Sequence, residues 1–363
     1  MTQAPPVRAR LLTVSDTESV LVFVVHHIAA DGFSMAPLTR DVMIAYAART
    51  HAEVPTWTPL AVQYADYTLW QRDVLGDEAD PQSVAAAQLD YWSSTLAGLP
   101  EELNLPSDRP RPAVSSYRGS TYVSRITPDI GRLVDRVAQA HRATPFMVVH
   151  GALSVLLARL SATEDIAIGT PVAGRGEEAL DDVVGMFVNT LVLRTGIDVG
   201  ESFAGGLLAR VKDIDLGAFG HADVPFERLV EVLDPERAQN RHPLVQVVLA
   251  FQNMAQAVLE LDGLTARGVE FDAHVAKFDL QVTFTAAPEG GYAVEWTYAT
   301  DLFDDATVAS YAERFEWLLT GLLADPSIAV GDVELLSGSE RADVLGAWST
   351  SGAQVDPAAT LPA

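Results

Sequence analysis

Two adjacent histidines, followed by an aspartate and a glycine, form the part of this sequence best suited to chemistry. His26 and His27 precede Asp31 and Gly32 in the pattern His-His-x-x-x-Asp-Gly. An imidazole titrates near neutral pH and is the usual proton acceptor for an attacking amine or hydroxyl. Asp31 could help to hold the imidazole, and Gly32 allows a tight backbone turn next to it. The pattern therefore indicates proton transfer or substrate positioning by one of the two histidines.

The same residues also fit a metal site or a buried pair of structural histidines. Metal binding is disfavoured because side chains at successive positions of a strand diverge, and no further His or Cys cluster lies nearby. The sequence contains no cysteine, which excludes disulfides, thiolate metal sites and thiol nucleophiles. It also contains no glycine-rich phosphate loop, G-x-S-x-G elbow or H-E-x-x-H motif.

The elements on either side of the motif restrict which histidine can face a cleft. Residues 20–25 are wholly apolar and mostly β-branched, which predicts a strand covered on both faces. A helix is predicted to begin after Ser34, a candidate N-cap, with Pro37 in its first turn. Adjacent side chains of a strand point to opposite faces. We therefore take His27 as the active residue and His26 as packed behind the strand.

The rest of the chain alternates between helical and strand patterns. The proline-rich stretch 100–116 is the best candidate for a connection between two lobes, and 346–363 is typical of a linker or frayed end. Helices are predicted at 62–72, 85–99, 145–160 and 306–323, and strands at 165–174, 190–195, 243–253 and in a hairpin within 277–299.

Charge and composition exclude several classes of partner. The chain has 363 residues with 24 Lys and Arg against 49 Asp and Glu, a formal net charge of −25 at pH 7. Such a field repels phosphate backbones and anionic lipids, so we expect binding neither to nucleic acid nor to a membrane. No secretory signal is apparent, and no apolar run reaches the roughly 18–20 residues that span a bilayer. We expect a cytoplasmic protein.

Six ordered blocks stand out along the chain: HHIAADGFS (26–34), YADYTLWQR (64–72), IGTPVAGR (168–175), VGMFVNTLVLR (184–194), HADVPFERLVE (221–231) and RHPLVQVVLAFQN (241–253). KFDL (277–280) and DVELLSGSER (332–341) continue the series. Together they resemble the condensation domains of nonribosomal peptide synthetases, within the chloramphenicol-acetyltransferase-like acyltransferases.

The resemblance implies an α/β (α+β) fold of two chloramphenicol-acetyltransferase-like lobes that form a V with a central tunnel. Residues 1–105 would be the remainder of the N-terminal lobe, 106–345 the C-terminal lobe, and 346–363 a linker toward a following adenylation domain. In the family, roughly a hundred residues or more precede the histidine motif in a two-lobed chain. Only 25 precede it here, so we expect the N-terminal lobe to be incomplete.

The reaction implied by the resemblance is amide-bond formation between two thioesters on carrier proteins. The α-amine of an acceptor aminoacyl group would attack a donor peptidyl or aminoacyl thioester, and both would ride on phosphopantetheine arms. The implied partners are donor and acceptor peptidyl carrier domains and an adenylation domain on the C-terminal side. No cofactor or metal is expected to bind the domain itself. HHIAADG together with Phe33-Ser34 and Pro37-Leu38 resembles domains that accept a donor ending in a D-residue more than those that accept an L-residue.

The resemblance also assigns roles to individual residues. Asp31 is expected to pair with an arginine, for which Arg175 is the candidate, although a solvated loop charge is the alternative for Arg175. For Asn189 and Asn253, cleft lining is one role, and hydrogen bonding to a bulge or latch strand is the alternative. The catalytic set is His26, His27, Asp31 and Gly32, and the cleft-lining candidates are Ser34, Asn189, Gln252 and Asn253.

Two other functions remain open. A non-catalytic docking platform would recruit carrier proteins or tailoring enzymes; the short N-terminal part favours it, whereas the retained His27 and Asp31 favour catalysis. Acyl transfer to a free small-molecule amine or alcohol is the other, and the linker-like tail after Leu336 argues against it. The D-x-x-x-x-D motif of heterocyclisation domains does not occur at the histidine position.

Overall fold

The chain folds around a six-stranded mixed sheet, and a two-stranded hairpin lies outside that sheet. The structure is a computed structural model that describes residues 5–252, 259, 261–269, 271, 273–346 and 348–349. Its elements are β1 (Val7–Thr13), β2 (Ser19–Val25), α1 (Met35–Thr50), α2 (Tyr64–Leu75), α3 (Val84–Thr95), β3 (Gly119–Ile126), α4 (Pro128–Ala140), α5 (Pro145–Ser161), β4 (Asp165–Val172), β5 (Asn189–Gly196), α6 (Leu208–Phe219), α7 (Phe226–Leu233), β6 (Val247–Gln252), β7 (Leu280–Ala286), β8 (Tyr292–Ala299), α8 (Asp305–Ala324) and α9 (Gly338–Leu345).

The six-stranded sheet has the order β3-β8-β7-β6-β4-β5. β6 runs parallel to β4 and β7, and the other neighbours are antiparallel. The predicted hairpin is formed by β7 and β8, and its turn contains Gly290 and Gly291 with φ of 94° and 72°. A Cβ atom at Gly291 would lie 2.2 Å from the carbonyl oxygen of Ile126, so only glycine fits there. The mixed α/β class predicted from the sequence is confirmed.

Helix α5 forms the centre of the core. Its N-cap Thr144 accepts a hydrogen bond at Oγ1 from the Met147 N–H (3.2 Å), and Pro145 occupies the first turn. Every residue from Met147 to Ala158 is buried, because α5 is packed by α4, α6, α8 and β4. The buried helix predicted from its nearly all-round apolar pattern is confirmed.

Strand β2 forms where the sequence predicts it, but its expected burial is wrong. β2 pairs antiparallel with β1, from Val7 opposite Val25 to Thr13 opposite Ser19. Five of its seven residues are exposed and none is buried. Among the described residues β1 is the only strand that pairs with β2, so the apolar side chains of this hairpin lack the second layer that the sequence pattern leads one to expect.

The stretch 100–116 is irregular, as predicted for a connection, yet it is fastened to the large sheet. Arg111 reaches Asp279 with both terminal nitrogens and donates from Nε to Glu102 (2.7 Å). The Leu103 N–H donates to Oε1 of Gln246 (2.9 Å). The division between residues 105 and 106 stays a prediction, and the predicted linker 346–363 lies almost wholly outside the described residues.

No single helix in the described part of the chain is long and apolar enough to cross a membrane. Helices α4 and α5 reach the required length and composition only as a pair, and they are bent by 105° at the break between them.

Replacement of Arg111 should test how firmly the connection is held. Its side chain is 14% exposed and that of Asp279 is 10% exposed, so Arg111→Ala leaves a nearly buried carboxylate without its partner. We expect a loss of about 3 kcal/mol in the free energy of unfolding, measured by urea denaturation. Arg118→Ala is the control, because Arg118 is 77% exposed and its pair with Asp301 should contribute less than about 1 kcal/mol. Equal effects would contradict the fastening role.

Candidate active site

The two histidines lie on a turn that follows β2. The strand ends at Val25, and residues His27–Ala29 form a single turn of 3-10 helix with His26 as its N-cap. Nδ1 of His26 accepts a hydrogen bond from the Ile28 N–H (3.1 Å), and the residue is exposed. The prediction that His26 packs behind the strand is therefore wrong, because the chain has already left the strand and turned at this point.

His27 is held in one tautomer by the same turn. Its Nδ1 lies 3.1 Å from the carbonyl oxygen of Ala30. A carbonyl oxygen can only accept, so Nδ1 carries the proton and the neutral imidazole keeps an unprotonated Nε2. The residue is exposed. His27 can thus accept a proton or a hydrogen bond through Nε2.

The Asp31 carboxylate is fully buried and accepts four hydrogen bonds. Oδ1 accepts from the Ser34 N–H (2.8 Å), from Ser34 Oγ (2.7 Å) and from Arg175 Nη2 (3.1 Å). Oδ2 accepts from the Phe187 N–H (3.1 Å). The Asp31 side chain is 0% exposed and that of Arg175 is 4% exposed. The structure thus places Arg175 against Asp31, and not in the solvated loop that was its alternative.

These contacts fix the charge of Asp31. Burial raises its pKa, but the hydrogen bonds from Ser34 and the Phe187 backbone, together with the charge of Arg175, outweigh burial and hold the pKa below its ordinary value. Asp31 is therefore an ionised carboxylate at neutral pH with no proton to give. Its geometry is that of a structural anchor for the turn that carries His27.

Arg175 is itself held on several sides. Nη1 donates to the carbonyl oxygens of Leu180 and Val183, the latter at 2.8 Å, while Nη2 donates to Ser34 Oγ (3.0 Å) as well as to Asp31. The guanidinium lies over the Phe187 ring, 4.0 Å from its centroid. Phe187 thus supports Arg175 with its ring and Asp31 with its backbone N–H.

Ser34 takes a different role from the two that were predicted. It precedes α1, but its backbone has the helical values φ −66° and ψ −17°, and its hydroxyl caps no helical N–H. An N-cap residue normally has an extended backbone, so this conformation prevents the cap. The hydroxyl instead contacts Asp31 and the carbonyl oxygen of Gly185 (2.9 Å). Since Ser34 is 0% exposed, cleft lining is also wrong.

Gly185, Tyr64 and Phe187 belong to this network but were not predicted as site residues from the sequence. The Asp31 N–H donates to the carbonyl oxygen of Gly185 (3.1 Å), and a Cβ atom at Gly185 would lie 2.2 Å from the Tyr64 ring. Tyr64 Oη donates to the carbonyl oxygen of Met186 (2.6 Å), and the Tyr64 ring meets Phe187 edge-on. All of them lie in the blocks 64–72 and 184–194, so the resemblance of these blocks to the family was the feature of the sequence that could have indicated them.

The remaining predicted site residues make none of the hydrogen bonds to Asp31 or Arg175 described above. Gly32 is exposed in the turn before α1, and its carbonyl oxygen accepts from the Met35 N–H (3.2 Å). Gln252 is exposed at the end of β6, opposite Thr285. Asn253 lies outside the described residues. Within the described ranges, no three His, Asp or Glu side chains are grouped as a metal site would need.

Asn189 is engaged by backbone and does not offer its amide to a cleft. Nδ2 donates to the carbonyl oxygens of Ala222 and Val224, both at 2.8 Å. Oδ1 accepts from the N–H groups of Thr190 (2.8 Å) and Phe226 (2.9 Å). The cleft-lining prediction is corrected in favour of the hydrogen-bonding alternative, because four bonds use the whole capacity of the amide.

The comparisons with known proteins identify the family of this chain. The family model for the Condensation domain matches residues 1–345. The chain belongs to the condensation domain family. Its mixed α/β architecture is the chloramphenicol-acetyltransferase-like fold of solved condensation domain structures. The tunnel between lobes stays a prediction.

Two relatives of this condensation domain are nonribosomal peptide synthetases. It is 48% identical over 365 residues to the probable non-canonical nonribosomal peptide synthetase CymA of Salinispora arenicola (strain CNS-205), with 99% of this chain and 5% of that protein covered. It is 43% identical over 364 residues to a dimodular nonribosomal peptide synthase of Bacillus subtilis (strain 168), with 99% and 15% covered. The chain thus spans a small part of these relatives.

A solved structure is similar over most of the domain. The complex of the X-domain and OxyB from teicoplanin biosynthesis contains a chain that superposes with a TM-score of 0.86 and 32% sequence identity. The match covers 93% of this chain and 74% of that chain.

Replacement of Asp31 should give a stability loss that depends on pH. The folded pKa lies below the ordinary value of about 3.9, so the carboxylate stabilises the fold fully above that value, and this contribution is lost as the pH falls through the folded pKa. We expect Asp31→Asn to cost about 3 kcal/mol at pH 7. Urea unfolding from pH 7 to pH 3 should show the gap to wild type closing below about pH 4.

The exposed Asp90 of α3 provides the matched control. Asp90→Asn should unfold within about 0.5 kcal/mol of the wild type across the same pH range. A gap for Asp31→Asn that stayed constant down to pH 3 would contradict an ionised anchor.

Proposed function

We propose that this condensation domain joins a donor peptidyl or aminoacyl thioester to the α-amine of an acceptor aminoacyl thioester, with both substrates on carrier proteins. The observation that supports it is the orientation of His27, whose Nδ1 lies 3.1 Å from the Ala30 carbonyl oxygen on a turn that the buried Asp31 anchors. Membership of the condensation domain family supports the reaction class.

In the proposed reaction the acceptor nitrogen attacks the thioester carbonyl carbon and a C–N bond forms. The tetrahedral intermediate collapses, the C–S bond breaks, and the sulfur leaves on the donor arm. The proton lost by the amine ends on that sulfur, so an amide and a free thiol are produced. His27 accepts the hydrogen bond of the attacking amine at Nε2 and can carry this proton between the two atoms.

The demand on His27 as a base is modest. An α-amino group has a pKa of about 7.7–8.0, so a fraction of the acceptor is already neutral at pH 7. Orientation of that neutral amine toward the carbonyl carbon supplies a large part of the rate enhancement in such reactions. Asp31, as an ionised and fully hydrogen-bonded carboxylate, holds the turn and transfers no proton.

The proposed partners follow from the substrates. Donor and acceptor peptidyl carrier domains would present the two thioesters on phosphopantetheine arms, and an adenylation domain would lie on the C-terminal side. The proposed partners agree with the finding that the chain spans only 5% to 15% of the two synthetases. Both thioesters are substrates, so the domain needs no resident cofactor for this chemistry.

A docking platform is the second candidate function. It is favoured by the similarity to the X-domain, whose solved structure is a complex with OxyB. In that case the surface would recruit a partner protein and His27 would be dispensable. The two functions predict different behaviour of His27 variants.

Removal of the His27 imidazole should abolish product formation without affecting the fold. We expect His27→Ala to lower turnover at least about 100-fold, the usual contribution of a positioned acid or base. Dipeptide formation is measured by intact-protein mass spectrometry with aminoacyl-loaded donor and acceptor carriers. The domain is tested as the full chain of 363 residues. Because His27 is exposed, the thermal unfolding midpoint should stay within about 2 °C.

His26 supplies the matched control. His26→Asn keeps a side-chain acceptor for the Ile28 N–H and should retain most of the turnover. Full turnover by His27→Ala would remove His27 from the mechanism. A folded wild-type domain that binds carriers and forms no product would favour the docking platform.

A further inference from the structure

The short segment 222–224, between α6 and α7, is bound by the side-chain amide of Gln88. Gln88 lies on α3, more than 130 residues earlier in the chain, and is 4% exposed. Its Oε1 accepts from the N–H groups of Asp223 and Val224, each at 3.0 Å. Its Nε2 donates to Oδ2 of Asp223 (2.7 Å). Gln88 thus makes all three hydrogen bonds to adjacent groups of one segment.

Asn189 binds the backbone carbonyl oxygens of the same segment. As described above, Nδ2 of Asn189 donates to the carbonyl oxygens of residues 222 and 224, each at 2.8 Å. We call Gln88 and Asn189 the amide clamp. The segment belongs to neither a helix nor a strand, so these side chains replace the backbone partners that secondary structure would supply. An amide side chain both accepts and donates, whereas a carboxylate only accepts and an ammonium only donates.

The clamp is continuous with the network around Asp31. Asn189 lies two residues after Phe187, whose N–H binds Asp31 and whose ring supports Arg175. The Phe187 ring also contacts Tyr67, with centroids 4.7 Å apart. Burial raises the pKa of Tyr67, and the charges of Tyr64 and Asp223 raise it further.

We propose that Gln88 is a positioning residue for the turn that carries His27. By fixing segment 222–224, Gln88 fixes Asn189 and the start of β5, and thereby the Phe187 N–H and ring that hold Asp31 and Arg175. The kinetic consequence of this role rests on the proposed function, whereas the structural consequence does not. Gln88 touches no reacting atom and acts through Asn189 and Phe187.

Loss of Gln88 should loosen the His27 turn at a distance. In Gln88→Ala the N–H groups of Asp223 and Val224 lose their acceptor, and Asn189 loses a fixed partner. We expect backbone amides in 26–34 and 183–187 to exchange hydrogen for deuterium about tenfold faster than in the wild type, measured by mass spectrometry of peptides from the whole chain. Gln139→Ala, at an exposed position of α4, is the control and should leave both segments unchanged.

Gln88→Glu separates the clamp from a general loss of stability. At pH 8 its carboxylate keeps both N–H acceptor contacts but repels Asp223, so the same segments should exchange faster than in wild type. At pH 5.5 burial and the neighbouring carboxylate favour the protonated acid, which donates as the amide does. The difference from wild type at the same pH should therefore shrink as the pH falls. If Gln88→Ala does not fold, the pH dependence of exchange in Gln88→Glu still tests whether Gln88 positions the His27 turn.

The effect of Gln88 on catalysis is measured with the same assay of dipeptide formation, which uses aminoacyl-loaded donor and acceptor carriers. We expect Gln88→Ala to lower kcat about tenfold and to leave KM for the acceptor carrier within about twofold, because the turn and not the carrier surface is disturbed. If the wild type forms no product, the proposed function fails, and the exchange data still decide the positioning role. If hydrogen–deuterium exchange in Gln88→Ala became faster only in α3 and residues 221–226, and stayed unchanged in residues 26–34, the positioning role of Gln88 would be wrong.

Discussion

The buried carboxylate of Asp31 is the constraint on which the candidate site depends. A carboxylate without water must be met by donors, and here they come from the nearby Ser34 and from Arg175 and Phe187, which lie 144 and 156 residues later in the chain. Two of these donors are held in place by further contacts. Arg175 is fixed by its hydrogen bonds to the carbonyl oxygens of residues 180 and 183, and the position of the Phe187 N–H depends on β5, which begins two residues later. The charge therefore demands a particular arrangement of residues 175–189 around the turn. Local propensity alone would not produce that arrangement.

In this arrangement the structural carboxylate, Asp31, and the proposed proton acceptor, His27, are not hydrogen-bonded to each other. In a catalytic triad the carboxylate contacts the histidine and stabilises its protonated form. Here Nδ1 of His27 is hydrogen-bonded to a neutral carbonyl oxygen, and Asp31 is satisfied by Ser34, Arg175 and Phe187. The turn therefore orients the imidazole, and the Asp31 carboxylate makes no direct contact with it. Such a histidine suits an attacking amine that is partly neutral already, and it would suit an alcohol, whose proton is held far more tightly, much less well.

Local patterns predicted most elements, because helix and strand periodicity reflect burial by near neighbours. The helix from Pro145 and the β7–β8 hairpin were predicted in this way. The sequence pattern did not predict what depends on distant partners. The apolar residues of β2 carry no sign of whether a second layer covers them, and the amide of Asn189 has the same pattern whether it binds a ligand or backbone. The block resemblance supplied Arg175, since 144 residues separate it from Asp31.

The chemistry of arginine explains why position 175 cannot be occupied by just any cation. Its two terminal nitrogens donate to four acceptors, and its planar face covers the Phe187 ring. A lysine ammonium has three donors on one atom and could not bind the 180–183 carbonyl oxygens and Asp31 while stacking on a ring. Arg111 uses the planar group differently and meets the two oxygens of the Asp279 carboxylate with its two terminal nitrogens. At both places the planar guanidinium joins segments far apart in sequence in one fixed orientation, which a point charge on a flexible stem does not impose.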